Sequence, residues 1–105
     1  MLSPKEHKNL ENYIQGIDVS RIATVFDALG EPNRCLIFRA LLKNNNVNVG
    51  QLASVVGISE SLASQHLKVL LQAGLVNKKK DGKRVYYQVS EQDSLVVALS
   101  KAVEA

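Results

Sequence analysis

The chain has a single cysteine, Cys35. That excludes an internal disulfide framework and any metal cage built from cysteine alone. Long apolar runs are missing as well, so no segment reads as a membrane span. The opening stretch, MLSPKEHKNLEN, is mostly polar and lacks the apolar core of a signal peptide. A cytoplasmic address without membrane contact is the expectation. Catalytic machinery is also lacking. There is no glycine-rich phosphate loop and no nucleophile elbow, and the two histidines, His7 and His66, lie 59 positions apart. Asp18, Asp27 and Glu31 show no paired-carboxylate spacing. These absences point away from an enzyme and from any bound cofactor. What is present is 105 residues, 46% hydrophobic and 22% charged, which reads as one ordinary globular domain with room for one core.

The net charge of +3 is modest, but it is unevenly placed. Residues 44–90 hold six basic side chains (Lys68, Lys78, Lys79, Lys80, Lys83 and Arg84) against Glu60 and Asp81. The C-terminal stretch 91–105 carries Lys101 against Glu91, Asp93 and Glu104. A positive patch concentrated within 78–84 is the footprint of a polyanionic partner. A solvated hairpin tip kept soluble by lysine would look the same by charge alone.

Hydrophobic periodicity predicts mostly helix. Ser3-Pro4-Lys5-Glu6 is a capping box with proline at the first helical position, and Leu10, Tyr13, Ile14 and Ile17 continue it as a helix over about 4–16. Ile22, Val25, Phe26 and Leu29 form a second stripe ending at Gly30. Pro32 opens a third helix over 32–43 with two apolar stripes. Leu36, Ile37, Ala40 and Leu41 form one, and Cys35, Phe38 and Leu42 the other, as a central helix requires. On that stripe Cys35 reads as a buried thiol, with single oxidation as its one redox option. A short helix at 49–56 turns Leu52, Ala53 and Val56 inward, and Gly57-Ile58-Ser59 breaks it. Ser59 then caps a helix over 60–73 that stops at Gly74.

From Leu75 the period changes to two. Segments 75–80 and 83–89 flank Asp81-Gly82, a strong hairpin signal. A two-residue loop there pairs Lys80 with Lys83 and Val76 with Tyr87, and gives Val76, Val85, Tyr87 and Val89 one shared inner face. Ser90-Glu91-Gln92-Asp93 is a second capping signature. It opens a last helix carrying Leu95, Val96, Leu99, Ala102 and Val103.

The resulting order is mainly α with one β-hairpin: five or six helices, the hairpin before the last. Short helix, glycine turn, longer helix and basic hairpin together read as a winged helix-turn-helix, with the helix-turn-helix at 49–73 and the wing at 75–89. On the longer helix Ala63, Leu67, Leu70 and Leu71 share one face. Ser61, Gln65, Lys68 and Gln72 share the opposite one, flanked by Ser64 and His66. No acid falls between Ser61 and Gln72. Serine permits close approach to a groove, Gln bonds adenine edges, and Lys reaches guanine or phosphate. The hairpin bases Lys78, Lys79, Lys80, Lys83 and Arg84 then neutralise backbone phosphates without reading sequence, with Tyr86 beside them.

The run ALGEPNRCLIFRALL followed by QLASVVGISESLASQHLKVLLQAGLVNKKKDGKRVYYQVS resembles the ArsR/SmtB family of bacterial repressors over about residues 20–104. The pattern S-x-S-x-x-S-x-H-L-x-x-L-x-x-A-G-L-V, Ser59 through Val76, is its most specific part. The resemblance implies a homodimer whose first and last helices (1–19 and 91–105) pair across a two-fold axis, and repression until an effector binds. It also implies that Ser61, Ser64, Gln65 and His66 face the major groove. Independently, Leu10, Tyr13 and Ile14 with Leu95, Leu99, Ala102 and Val103 offer an apolar seam that would present two such helices to a palindromic duplex. A stripe that only caps the monomer core is the competing reading.

The resemblance also implies sites to look for. Relatives sense metals through cysteines leading into the first helix of the motif, where this chain has Asn48 and Gly50. Others bind metal between the last helices, where this chain has Asp93-Ser94-Leu95 and no histidine. A thiol-switch branch needs two cysteines. No metal site is therefore expected, and the effector is left unknown. Two rivals stand beside a DNA-binding repressor: a sensor using Cys35 or a non-metal ligand, and a winged-helix interaction module that leaves DNA alone.

Overall fold

The computed structural model describes residues 1–105. Six helices and one hairpin follow in the order α1 Pro4–Gln15, α2 Val19–Leu29, α3 Pro32–Lys43, α4 Val49–Val56, α5 Glu60–Gln72, β1 Val76–Asp81, β2 Arg84–Val89 and α6 Ser94–Glu104. No helix is long and apolar enough to cross a membrane.

Local chemistry sets the helix starts. At α1 the Ser3 hydroxyl accepts from the Glu6 amide at 3.1 Å, and the Glu6 carboxylate accepts from the Ser3 amide at 3.0 Å. Donation from Ser3, its backbone amide first, holds the Glu6 carboxyl below its ordinary range. Asn48 and Gln51 form the same reciprocal pair at α4, at 2.8 and 3.1 Å. The α5 C-terminus closes with two bonds, Gly74 N–H to the Leu71 carbonyl and Leu75 N–H to the Leu70 carbonyl, both 3.0 Å. This paired closure satisfies carbonyls left open by the helix end and delivers Leu75 into the core.

That core joins every element except α1. Val25 and Ala28 of α2, Ile37, Phe38 and Leu41 of α3, Leu52 of α4, Leu67 and Leu70 of α5, Leu75, Val76 and Val89 around the hairpin, and Val96 and Leu99 of α6 form one cluster. No polar or charged side chain is buried in it. Helix α3 supplies its two inner stripes as expected of a central helix, although Leu36 is exposed.

The hairpin register differs from the sequence reading. Asp81 pairs with Arg84 and Val76 with Val89, so the two loop residues are Gly82-Lys83. Only Gly82 takes a positive φ, +61°, the arrangement of a turn with glycine at its first central position. An Asp81-Gly82 loop would have asked Asp81 for a left-handed backbone too. The observed register also sets the two buried valines opposite each other at the base of the hairpin. Because the slip is two residues, Val76, Val85, Tyr87 and Val89 still share one face. A single bridge from Val47 extends the sheet, with the Tyr87 amide donating to the Val47 carbonyl at 2.9 Å.

The last helix begins later than its capping signature implies. Ser90 is still engaged by the hairpin, its amide donating to the Leu75 carbonyl at 3.0 Å. Asp93 is the cap instead, accepting from the Leu95 amide at 2.9 Å.

Helix α1 stands apart. None of its residues is buried. The molecule measures 60 × 25 × 23 Å with a radius of gyration of 17.3 Å, where a compact chain of this length would have about 13 Å.

Candidate nucleic-acid interface

The helix-turn-helix is built around Gly57, at φ +83°. Its amide and that of Ile58 both donate to the Ala53 carbonyl, at 2.8 and 3.0 Å. This stops α4 within one residue and swings the chain into α5. The Ser59 hydroxyl caps α5 by accepting from the Leu62 amide at 3.1 Å. Ala63, Leu67 and Leu70 are buried and Leu71 is half-buried, so the opposite face is turned out. Ser61, Ser64, Gln65, Lys68 and Gln72 are all exposed on it. The surface so presented is short, polar and without a carboxylate after Glu60 in the first turn.

The wing presents its bases on both faces. Lys79, Arg84 and Tyr86 share one side, while Lys78 and Lys80 lie with Val85 and Tyr87 on the other. Lys78, Lys79, Lys80, Lys83 and Arg84 are exposed, and Tyr86 is half-buried. The Tyr86 hydroxyl, two residues along the same strand, raises the Arg84 guanidinium pKa further. Tyr87 faces inward, and desolvation pushes its phenol above the ordinary value.

His66 departs from the groove-facing set. Its side chain is only 12% exposed. Nδ1 lies 3.4 Å from Arg34 Nη1, and Nε2 lies 3.7 Å from a Glu31 carboxylate oxygen. It sits between α5 and the start of α3, because position 66 falls on the flank of α5 that α3 covers. Sequence periodicity placed it at the edge of the exposed face and could not show Arg34 arriving from 32 residues away.

The expected seam is split. Leu10, Tyr13 and Ile14 are exposed by 49%, 78% and 61%. Leu99 is instead part of the protomer core at 8% exposure, and Leu95 and Val103 pack half-buried against that core. Ala102 is exposed. Leu99 is therefore removed from the seam: with Val96 it faces α3, one turn apart on the same side of α6. Residues the sequence reading did not place there are open, among them Ile17, Val19, Phe26 and Val97. Phe26 carried the usual signal of a core residue, and only the tertiary path of α2 leaves it outside.

Cys35 is half-buried in α3. No three His, Cys, Asp or Glu side chains come together as a metal-ligand group. The positions where metal ligands were sought have other partners: Asn48 caps α4, and Asp93 caps α6 while pairing with Arg21.

Comparison with known proteins places these features. Residues 31–78 match the model of a family described as bacterial regulatory protein, arsR family. The nodulation protein NolR of Rhizobium meliloti is 37% identical over 90 residues, 85% of this chain. The match spans 65% of that relative's own length, just under two thirds. HlyU of Vibrio cholerae, named a transcriptional activator, superposes with a TM-score of 0.74 at 31% identity, covering 84% of this chain and 92% of that one. A homodimeric winged helix-turn-helix DNA-binding domain from Mycobacterium bovis superposes with a TM-score of 0.69 at 25% identity, over 99% of this chain and 85% of that one.

Proposed function

Because the chain belongs to the arsR family of bacterial regulatory proteins, a family of DNA-binding regulators and not of enzymes, we propose that it is a repressor that binds a palindromic operator as a homodimer. In this reading α5 enters the major groove with Ser61, Ser64, Gln65 and Lys68 toward the bases. Ser59 and the hairpin residues Lys78, Lys79, Lys80, Lys83, Arg84 and Tyr86 meet the backbone. The observation that carries it is the acid-free polar face of α5, followed directly by five exposed bases on a tight hairpin. An ordinary solvated helix would intersperse acids there.

The homodimer is supported by the bare apolar face of α1 and by the homodimeric relative. We assign no metal to the regulator, since Asn48 and Asp93 are each committed to a helix cap. Repression is the family expectation, and a promoter-reporter assay with and without the protein separates it from the activation for which HlyU is named.

Charge reversal tests the wing. With a duplex enriched from a random pool, Lys79→Glu with Arg84→Glu should flatten the log–log dependence of affinity on salt by about two units, roughly one for each lost phosphate contact. An unchanged slope overturns the wing assignment. No salt-sensitive duplex binding by the unaltered protein overturns the DNA-binding reading.

A further inference from the structure

Arg34 is a fixed donor. Its Nε donates to the Ala28 carbonyl at 2.7 Å, and its backbone amide donates to the Glu31 carboxylate at 2.8 Å. Its Nη1 then reaches Nδ1 of His66 at 3.4 Å, on the recognition helix next to Gln65. A guanidinium has no lone pair to offer, so the contact requires Nδ1 to be the acceptor. The ring proton consequently lies on Nε2, toward Glu31 at 3.7 Å.

Resting on the DNA-binding reading above, we propose that His66 is a positioning residue: in its neutral form Arg34 holds it, and this sets the pose of α5 for reading bases. A proton added at Nδ1 places two donors, both positively charged, against each other. Glu31, on the ring's other side, attracts the imidazolium. Protonation therefore exchanges the Arg34 contact for one with the α3 cap and moves α5 out of the pose that Arg34 sets. The charged groups facing the ring are Glu31, the N-cap of α3, and Arg34 in its first turn, and the α2 group in the cluster is the Ala28 carbonyl that Arg34 already occupies. Lys68 of α5 is on the exposed face.

Base-edge bonds demand closely held geometry, whereas flexible lysines follow phosphates through small displacements. The consequence is a loss of sequence discrimination rather than of general DNA affinity. The protein has two histidines, so the effect can be assigned. His7 pairs with Glu11 on α1, at 2.8 Å, and serves as the control.

The experiment measures the affinity ratio between a duplex enriched by the wild-type protein and a shuffled duplex of equal composition, between about pH 7.5 and about 5.5, where histidine is the side chain that ordinarily changes charge. The wild type should lose about tenfold of its discrimination on acidification, equivalent to one lost specific contact. His7→Gln should behave the same way. His66→Asn, whose side-chain oxygen can accept from Arg34, should keep most of the discrimination and show no pH dependence. His66→Ala should be low at both ends. In the DNA-free protein, the imidazole ¹⁵N shifts at about pH 7.5 should report an Nε2–H tautomer. An Nδ1–H tautomer, a wild-type pH profile shared by His66→Asn, or full discrimination by His66→Ala overturns the inference while leaving DNA binding intact. Failure of the wild type to bind any duplex at the higher pH overturns both.

Discussion

Gly57 holds the turn between α4 and α5 at φ +83°, and nothing lies within 4 Å of where a Cβ would stand. Any penalty for a side chain is therefore backbone strain alone. Gly57→Ala should lose about 1 kcal/mol in urea denaturation. Asn, which tolerates this region better, should cost less. Tyr87 offers a test in pH. Burial raises its phenol pKa in the folded state, so the folded form holds its proton more tightly than the unfolded chain. That contribution is whole below the unfolded pKa and fades as pH rises through the folded one. Denaturation midpoints followed from about pH 8 to about pH 11 should fall less steeply in Tyr87→Phe than in the wild type. At this scale caps and turn glycines were legible, because their chemistry is local. His66 was not, because its partners come from α3.

The elements repeat that division. The starts of α1, α3 and α5 and the α5 stop are legible in Ser3, Pro32, Ser59 and Gly74, and the α4 start follows from the turn cluster before it. Ser59→Ala should destabilise the protein by about 1 kcal/mol, read by urea titration, since one amide of the first turn loses its acceptor. The hairpin was found with the correct inner face but a register two residues off, because alternation is blind to an even slip. Burial of Val76 against Val89 decided it. The start of α6 was misplaced by three residues for a related reason: Ser90 had already been taken by Leu75 across the sheet.

For the whole molecule, the bare helix α1 is the main consequence. A helix of 12 residues with none buried has little reason to hold its place in a monomer. Tyr13→Glu with Ile14→Glu should give a folded monomer by sedimentation equilibrium, with circular dichroism of the body retained. Binding to a palindromic duplex should fall toward that of a half-site. A dimer that survives both changes would place the interface elsewhere. Of the residues the sequence offers for that seam, those of α1 are open, while Leu99 belongs to the protomer's own core.

Composition, periodicity and spacing determined the order of elements, the polar face of α5 and the basic hairpin, because each depends on residues within a few positions of one another. Which apolar residues are core and which are left open, where the strands register and what encloses His66 were decided by tertiary contact. Those outcomes depend on which of several similar surfaces meets which, and a helical or alternating pattern is the same whether its apolar side meets its own chain or another.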